Sequence, residues 1–340
     1  MTGVSKSNWQ PRLSVNHQWS YRTYEQPSGI PTPADQVYDA QTTQARAQGN
    51  LVNLEKSQVI MGLSYTKETM LYKDTGVVKS DVFSELRGVF VKYDQVLSED
   101  FKAAVGTRAE SWDNSDPQVT AQAGLVFQEN TKLEFATGYK APSLFQLHSS
   151  YGNPDLDAEK SVSYSLTHQR ALSETMNGSV TLFYTQFSNL ITTQGVPPNI
   201  KYFNVAKSNT PGIELAYAWN FAMNQQVSVL GAYQEPWDET NKRWLIRRPL
   251  ISGSLRYSIS IDRYQTAAEL VMVGSRSDRT GASYGEIPGY AVANLAGTYD
   301  LGDDYSTYAR IDNVANYRYQ ESYSYYSEGV ALTLGLSAQF

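Results

Sequence analysis

Ile213-Glu214-Leu215-Ala216-Tyr217-Ala218-Trp219-Asn220-Phe221 is the stretch whose reading decides the fold. Its odd positions carry bulky apolar or aromatic side chains, and its even positions carry Glu, Ala, Ala and Asn. A period of two puts these sets on opposite faces of an extended strand. In the segment 251–261, Ile, Gly, Leu, Tyr, Ile and Ile alternate with Ser252, Ser254, Arg256, Ser258 and Ser260. At the end of the sequence, Val330, Leu332, Leu334, Leu336, Ala338 and Phe340 alternate with Ala331, Thr333, Gly335, Ser337 and Gln339. Val59/Met61/Leu63/Tyr65, Phe101/Ala103/Val105, Leu133/Phe135 and Val162/Tyr164/Leu166 repeat the scheme.

The second face separates two kinds of β-protein. A soluble sandwich alternates too, but fills its polar face with Lys and Glu. Here that face is mostly Ser, Thr, Ala, Gly, Gln and Asn, as a water-filled interior requires. Strands are expected at 12–24, 41–53, 57–70, 81–94, 100–112, 119–128, 131–140, 161–172, 177–190, 201–221, 226–235, 248–261, 264–276, 289–299, 305–315 and 330–340, about sixteen in all. Their connections alternate in length. Glu55-Lys56, Ser98-Glu99, Glu129-Asn130, Ser173-Glu174, Asn224-Gln225, Asp262-Arg263 and Gly302-Asp303 read as tight turns. Between them lie long stretches at 25–40, 70–80, 140–160, 190–200, 235–249, 276–288 and 316–329. Short turns at one end and long loops at the other mark an antiparallel transmembrane β-barrel. We read 1–340 as one such region with no internal boundary.

Composition agrees. No run approaches the ~18 consecutive apolar residues of a membrane helix, so a spanning chain of this kind must be a barrel. The 25 Tyr and 6 Trp favour strands and membrane interfaces. Mean hydropathy is negative, which does not argue against a barrel when only every second strand residue meets lipid. With no cysteine, disulfide frameworks and thiolate metal sites are excluded. A net charge of -6 speaks against nucleic acid as a partner. Met1 to Trp9 has no apolar core and is not a signal peptide.

Four motifs resemble the TonB-dependent outer-membrane receptors, nearest to the vitamin B12 (cobalamin) receptor type. Tyr139-Lys140-Ala141-Pro142-Ser143-Leu144-Phe145-Gln146-Leu147, followed by Tyr151-Gly152-Asn153-Pro154-Asp155-Leu156-Asp157-Ala158-Glu159, is similar to the family's "(Y/F)(K/R)APxLxxL … GNPxLxPExS" segment, with Ala158 where Pro is usual. Tyr202-Phe203-Asn204-Val205-Ala206 with Gly212 and Glu214 resembles "YxNxxxAxxxGxE". Arg310-Ile311-Asp312-Asn313-Val314-Ala315-Asn316-Tyr317 resembles "NLFDxxY". Gly335, Ala338 and the terminal Phe340 fit the signal read by the barrel-assembly machinery. The resemblance implies a 22-stranded barrel embedded in outer-membrane lipid of a Gram-negative bacterium. It implies a plug domain through which TonB would act, and capture of an extracellular small molecule. Sixteen strands would be the last sixteen of that barrel. Signal peptide, TonB box and plug are not recognisable here, so the expectation is a fragment of a longer gene.

On their own residues, Asn153, Gly212 and Asn313 read as turn and strand chemistry rather than ligand contacts. Loop aromatics Tyr151, Trp237, Tyr323, Tyr325 and Tyr326 are candidates for ligand contact or for an interfacial belt. Asp155, Asp157 and Glu159 could bind calcium, but a solvated acidic loop is the simpler reading. His17, His148 and His168 fall on separate elements, so neither a zinc site nor a Ser/His/acid triad is expected. Arg108, Glu110, Arg256 and Glu269 are expected inside the barrel. No cofactor and no catalytic residue is assigned. A receptor for cobalamin or a siderophore-like chelate leads, a passive porin-like channel is the alternative, and a barrel enzyme comes third.

Overall fold

Alternation becomes strand almost everywhere in the computed structural model, which describes residues 11–24, 36–113, 117–195, 199–280, 283–302 and 304–338. In chain order these are β1 Arg12–Tyr24, β2 Gln36–Asn53, β3 Ser57–Asp74, β4 Val77–Val96, β5 Phe101–Trp112, β6 Gln118–Phe127, β7 Thr131–Lys140 and a short helix α1, Leu144–His148. There follow β8 Glu159–Ser173, β9 Met176–Gln194, β10 Lys201–Ala222, β11 Gln225–Gln234, β12 Trp237–Asp238, β13 Arg243–Trp244, β14 Ile251–Ile261 and β15 Tyr264–Val273. The last are β16 Arg276–Thr280, β17 Ser283–Ile287, β18 Tyr290–Gly302, β19 Tyr305–Asp312, β20 Gln320–Ser322, β21 Tyr325–Tyr326 and β22 Ala331–Ala338. Setting aside the short pairs β12/β13, β16/β17 and β20/β21 leaves sixteen long strands, each on an expected segment.

The chain divides into two units, residues 1–164 with 186–207, and residues 165–185 with 208–340. In the first, β1 to β7 form an antiparallel meander in which each strand pairs with the next. In the second, the antiparallel order is β10, β11, β14, β15, β18, β19, β22. Residues opposite one another in an antiparallel pair share a face, so the registers sort the side chains. In the first unit Met61, Leu63, Val89 and Val91 lie on one face, and Ser64, Gly88 and Arg108 on the other. In the second, Val229, Leu255 and Leu270 share one face, and Ser228, Arg256 and Glu269 the other.

Among the described residues, neither apolar face is covered by a second layer. Leu63 is 62 % exposed, and Leu215, Trp219 and Phe221 are 51, 38 and 40 % exposed. Among the described residues, the buried hydrophobic side chains include Tyr38, Met70, Tyr72, Leu144, Leu147, Leu156, Ile287 and Val292, and they sit where loops fold onto strand ends. The chain exposes 22156 Å², against about 14,000 Å² for a soluble monomer of this mass. Apolar side chains arrayed on an open face cost free energy in water and none in hydrocarbon. Among the described residues no helix is long and apolar enough to cross a membrane.

The structure corrects several expectations. The stretch 70–80 is not a long loop: β3 and β4 run on to a two-residue turn at Thr75-Gly76. Both residues have positive φ, 51° and 76°, as the right-handed twist of the flanking strands demands. The stretch 190–200 likewise shortens, because β9 continues to Gln194. Gly212, which as a glycine within a strand could mark a bulge, is not at one in the ladder with β11. It pairs in regular register with Gln234, and the irregularity in this ladder lies between Trp219 and Ala222. Phe340 lies outside the described residues.

Candidate functional site

In the first unit, the motif-bearing connection 141–158 folds back onto the polar face of the sheet. Its helix α1 spans five residues, too short to hold itself, and is fixed at its start. Ser143 caps it by accepting from the Gln146 amide, while the Gln146 side chain accepts from the Ser143 amide, a capping box. Leu144 packs with Tyr38, Met70 and Tyr72. Tyr38 stacks on Tyr72 with centroids 4.6 Å apart, and Phe145 leans on Tyr38 at 4.9 Å. Ser143→Ala removes one acceptor and is expected to loosen this strap by about 1 kcal/mol, seen as faster proteolysis within 141–158.

The rest of the connection is held by asparagines. The Asn153 side chain accepts from the Asp155 amide at 3.0 Å and donates to the Tyr202 carbonyl at 3.1 Å. The Asn204 side chain accepts from the Asp157 amide at 2.9 Å and donates to the Asp157 and Asn189 carbonyls. Pro142 and Leu156 are buried and Pro154 is exposed. Glu159 pairs with Lys140 at 2.9 Å and accepts from the Ile191 amide at 2.7 Å. Among the described residues, no group of three or more His, Asp or Glu side chains is placed to hold a metal ion. Tyr151 is exposed, and its carbonyl accepts from the Tyr202 amide. Tyr139 lies at the end of β7, and Ala141 follows it into the strap.

Lower on the same sheet, Phe90 lies over Gly62, its partner in register, with the Arg46 guanidinium 4.6 Å from the ring centre. Arg108 donates to Glu110 and to Ser64, both at 2.6 Å. Arg256 and Glu269 face one another across β14 and β15 of the second unit. The histidines fall on separate elements: His17 in β1, His148 ending α1, His168 in β8.

In the second unit, the three long connections carry ordered hairpins. Trp237 packs edge-on against Trp244 across β12/β13, centroids 5.0 Å apart. The buried Asp238 accepts from the Thr240 and Asn241 amides and shapes that turn. Lys242 beside Glu239 holds its carboxyl below the usual carboxylate range, helped by Asn209 against the opposing effect of burial. Tyr325 and Tyr326 are 74 and 66 % exposed at the β20/β21 hairpin, and Tyr323 lies beside them. Asn313, at φ 53°, donates to the Tyr317 and Glu328 carbonyls and accepts from the Tyr317 amide, which closes the start of that loop.

What joins the three connections is a residue no motif suggested. Asp278, on β16, has a fully buried side chain. Its Oδ1 accepts from the Arg279 amide at 2.8 Å and from Arg247 Nε at 3.0 Å. Its Oδ2 accepts from the Tyr323 amide at 2.7 Å and the Ser322 hydroxyl at 3.2 Å. The Arg247 amide also donates to the Ser277 carbonyl at 2.8 Å. Buried Arg276 donates to the Gln320 and Glu321 carbonyls, and Tyr290 stacks on Tyr319 with centroids 3.9 Å apart. Burial alone would raise the Asp278 pKa, but the two amides and Arg247 outweigh it and hold the group below its ordinary 3.8. Its stabilising contribution is therefore fully present above that value and is lost only as pH falls through the lower folded one.

Of the candidate aromatics, Trp237 and Tyr323 thus sit on connections that Asp278 ties together, and Tyr325 and Tyr326 follow on the same hairpin. Tyr151 belongs to the first unit. Gly212 and Glu214 occupy polar-face positions of β10, and Gly335 and Ala338 lie on opposite faces of β22.

Solved structures share the fold. The siderophore receptor PirA from Acinetobacter baumannii matches with a TM-score of 0.74 at 15% identity, over 98% of this chain and 60% of that one. The copper transporter OprC matches with a TM-score of 0.77 at 12% identity, over 98% and 63%. A mutant of the ferric enterobactin receptor PfeA from Pseudomonas aeruginosa gives 0.76 at 18%, over 98% and 59%. The chain therefore spans about three fifths of the length of these relatives. A family model described as TonB dependent receptor-like, beta-barrel matches residues 4–314. With most of the chain covered, and with alternating walls and sorted loops, this protein belongs to the TonB-dependent receptor β-barrel family.

Proposed function

We propose that this chain is the greater part of the wall of an outer-membrane receptor in a Gram-negative bacterium. It takes up a scarce, bulky chelate, siderophore-like or cobalamin, from outside the cell. The observation that carries the reading is the pairing of a bare apolar face with long connections organised into an aromatic-bearing assembly at one end of the strands. On this reading the apolar faces meet membrane lipid, the Ser/Thr-rich faces line the lumen, and the loop end faces outward. The membrane-assembly machinery reads the last strand through Gly335, Ala338 and Phe340. Energy comes from TonB through a plug that would fill the lumen. Nucleic acid has no place in it.

Siderophore and copper receptors among the structural matches support import in general and do not single out cobalamin, so the cobalamin end of the proposal rests on the motifs alone. A passive channel is the second reading, because sixteen long strands are a porin-like number. Both are tested on the purified chain in lipid. A receptor is expected to bind a ferric tris-catecholate or cyanocobalamin saturably. Steady ion conductance without saturable binding of either probe would replace it with the channel.

A further inference from the structure

The carboxylate of Asp278 divides its work between its two oxygens. Oδ1 faces its own hairpin and the connection 235–250, through the Arg279 amide and Arg247. Oδ2 faces the connection 313–330, through the Tyr323 amide and the Ser322 hydroxyl. A fully buried carboxylate with four donors and one cationic partner is well compensated. The same burial makes it costly to remove, since the two amides would lose their acceptor in a dry environment. The clip also has backing. Arg276 reaches the Gln320 and Glu321 carbonyls from the same β16 strand, and the Arg247 amide holds Ser277. Every one of these contacts lies within the second unit.

We infer that Asp278 is a positioning residue for ligand capture, presetting the Trp237 and Tyr323–Tyr326 hairpins as one platform before any ligand arrives. The inference rests on the receptor reading and goes beyond it, because it says how the outer surface meets its ligand. Loops tied through one buried carboxylate cannot close independently around a ligand. The bound arrangement of these two hairpins is then the resting one, and little affinity is lost to ordering them.

The two-sided geometry gives a sharp test. An asparagine at 278 has one carbonyl oxygen and one amino group. If its oxygen stays with Arg247 and Arg279, its amino group confronts the Tyr323 N–H, donor against donor. The amide therefore keeps its tie to one connection and breaks its tie to the other, leaving that one to the Arg276 contacts. Because the chain has no cysteine, nitroxides can be attached at introduced cysteines in the full chain in lipid. The pair Lys242 and Ser283 reads the first connection against the central hairpin, and Ser283 and Ser324 reads the second. The unsubstituted chain is expected to give narrow distance distributions for both pairs. Asp278→Asn should broaden the Ser283/Ser324 pair and spare the other, Arg247→Ala the reverse, and Asp278→Ala both.

The second readout is binding of the ferric tris-catecholate and cyanocobalamin probes. Loss of preorganisation weakens affinity, at least about tenfold for Asp278→Ala, while the number of sites per folded chain stays constant. A merely structural role would lower the number of sites at unchanged affinity. Broad distances in the unsubstituted chain, unchanged distances in Asp278→Ala, or a loss of sites alone would each overturn the inference. Failure of the receptor reading is recognised separately, as no saturable binding of either probe by the unsubstituted chain, whatever the distances show.

Discussion

Leu255→Arg is expected to keep the chain from assembling in the membrane, while Ser254→Arg, one position earlier, is expected to leave assembly intact. The two residues are neighbours in β14 but project to opposite faces. Leu255 shares its face with Val229 and Leu270, in the middle of an apolar band that also carries Tyr257 and Ile259. Ser254 shares the other face with Arg256, a guanidinium the wall already carries. A cation on the lipid side near the bilayer midplane costs about 2–4 kcal/mol, whereas one facing the lumen costs close to nothing. That difference is a sizeable part of the total stability of a domain. Folding yield into vesicles, followed by the midpoint of urea unfolding, measures it. Equal losses for the two substitutions would mean that Leu255 does not meet lipid.

Gly212→Val is the second large effect. A Cβ at Gly212 would stand 2.3 Å from the Phe183 ring and 2.8 Å from the Tyr233 carbonyl oxygen. The ring can move; the carbonyl belongs to the neighbouring strand, and moving it disturbs the ladder. We expect a loss of about 3 kcal/mol, the upper end for overpacking a filled site. Gly231 is the control, because a Cβ there meets nothing within 4 Å, so Gly231→Ala should be near neutral. Gly335 falls between. The atoms nearest its added Cβ all belong to the outer end of the Tyr308 side chain, so Tyr308→Ala should rescue Gly335→Ala, whereas Phe183→Ala should not rescue Gly212→Val. The same unfolding midpoints decide it, and a harmless Gly212→Val would mean that β9 and β10 do not approach as described.

The wall was legible because alternation over eight or more residues is a strong signal, and nearly every long strand offered one. Ile213 to Phe221 and Ile251 to Ile261 carried their faces openly. The ornaments of the loops were not legible. Strands of two to five residues such as β12, β13, β16 and β20 are too short for a period to register. Ser143-x-x-Gln146 did spell a capping box, and Asp74-Thr75-Gly76 a tight turn, but each sat inside a stretch already read as loop. The glycines opposite aromatic rings, Gly62 under Phe90 and Gly212 under Phe183, needed the register between strands. Asp278 left no trace at all in the sequence, because its partners come from positions 31, 44 and 45 residues away as well as from its neighbour.

The hairpin of β3 and β4 continues well past the apolar rows of Met61, Leu63 and Tyr65. Beyond Tyr65 the outward positions become mixed, with Lys67 and Glu85 followed by Thr69, Phe83, Leu71 and Asp81, and pairing runs on to Asp74 and Val77 with one irregularity between Tyr72 and Lys73. Nine further residues at strand spacing make a mast about 30 Å tall, guyed on its inner side by the Leu144 strap. On the proposed reading, this hairpin would reach out into the surroundings of the cell. Its tip at Thr75-Gly76, exposed at both residues, would then be open to an antibody, a phage or a neighbouring cell.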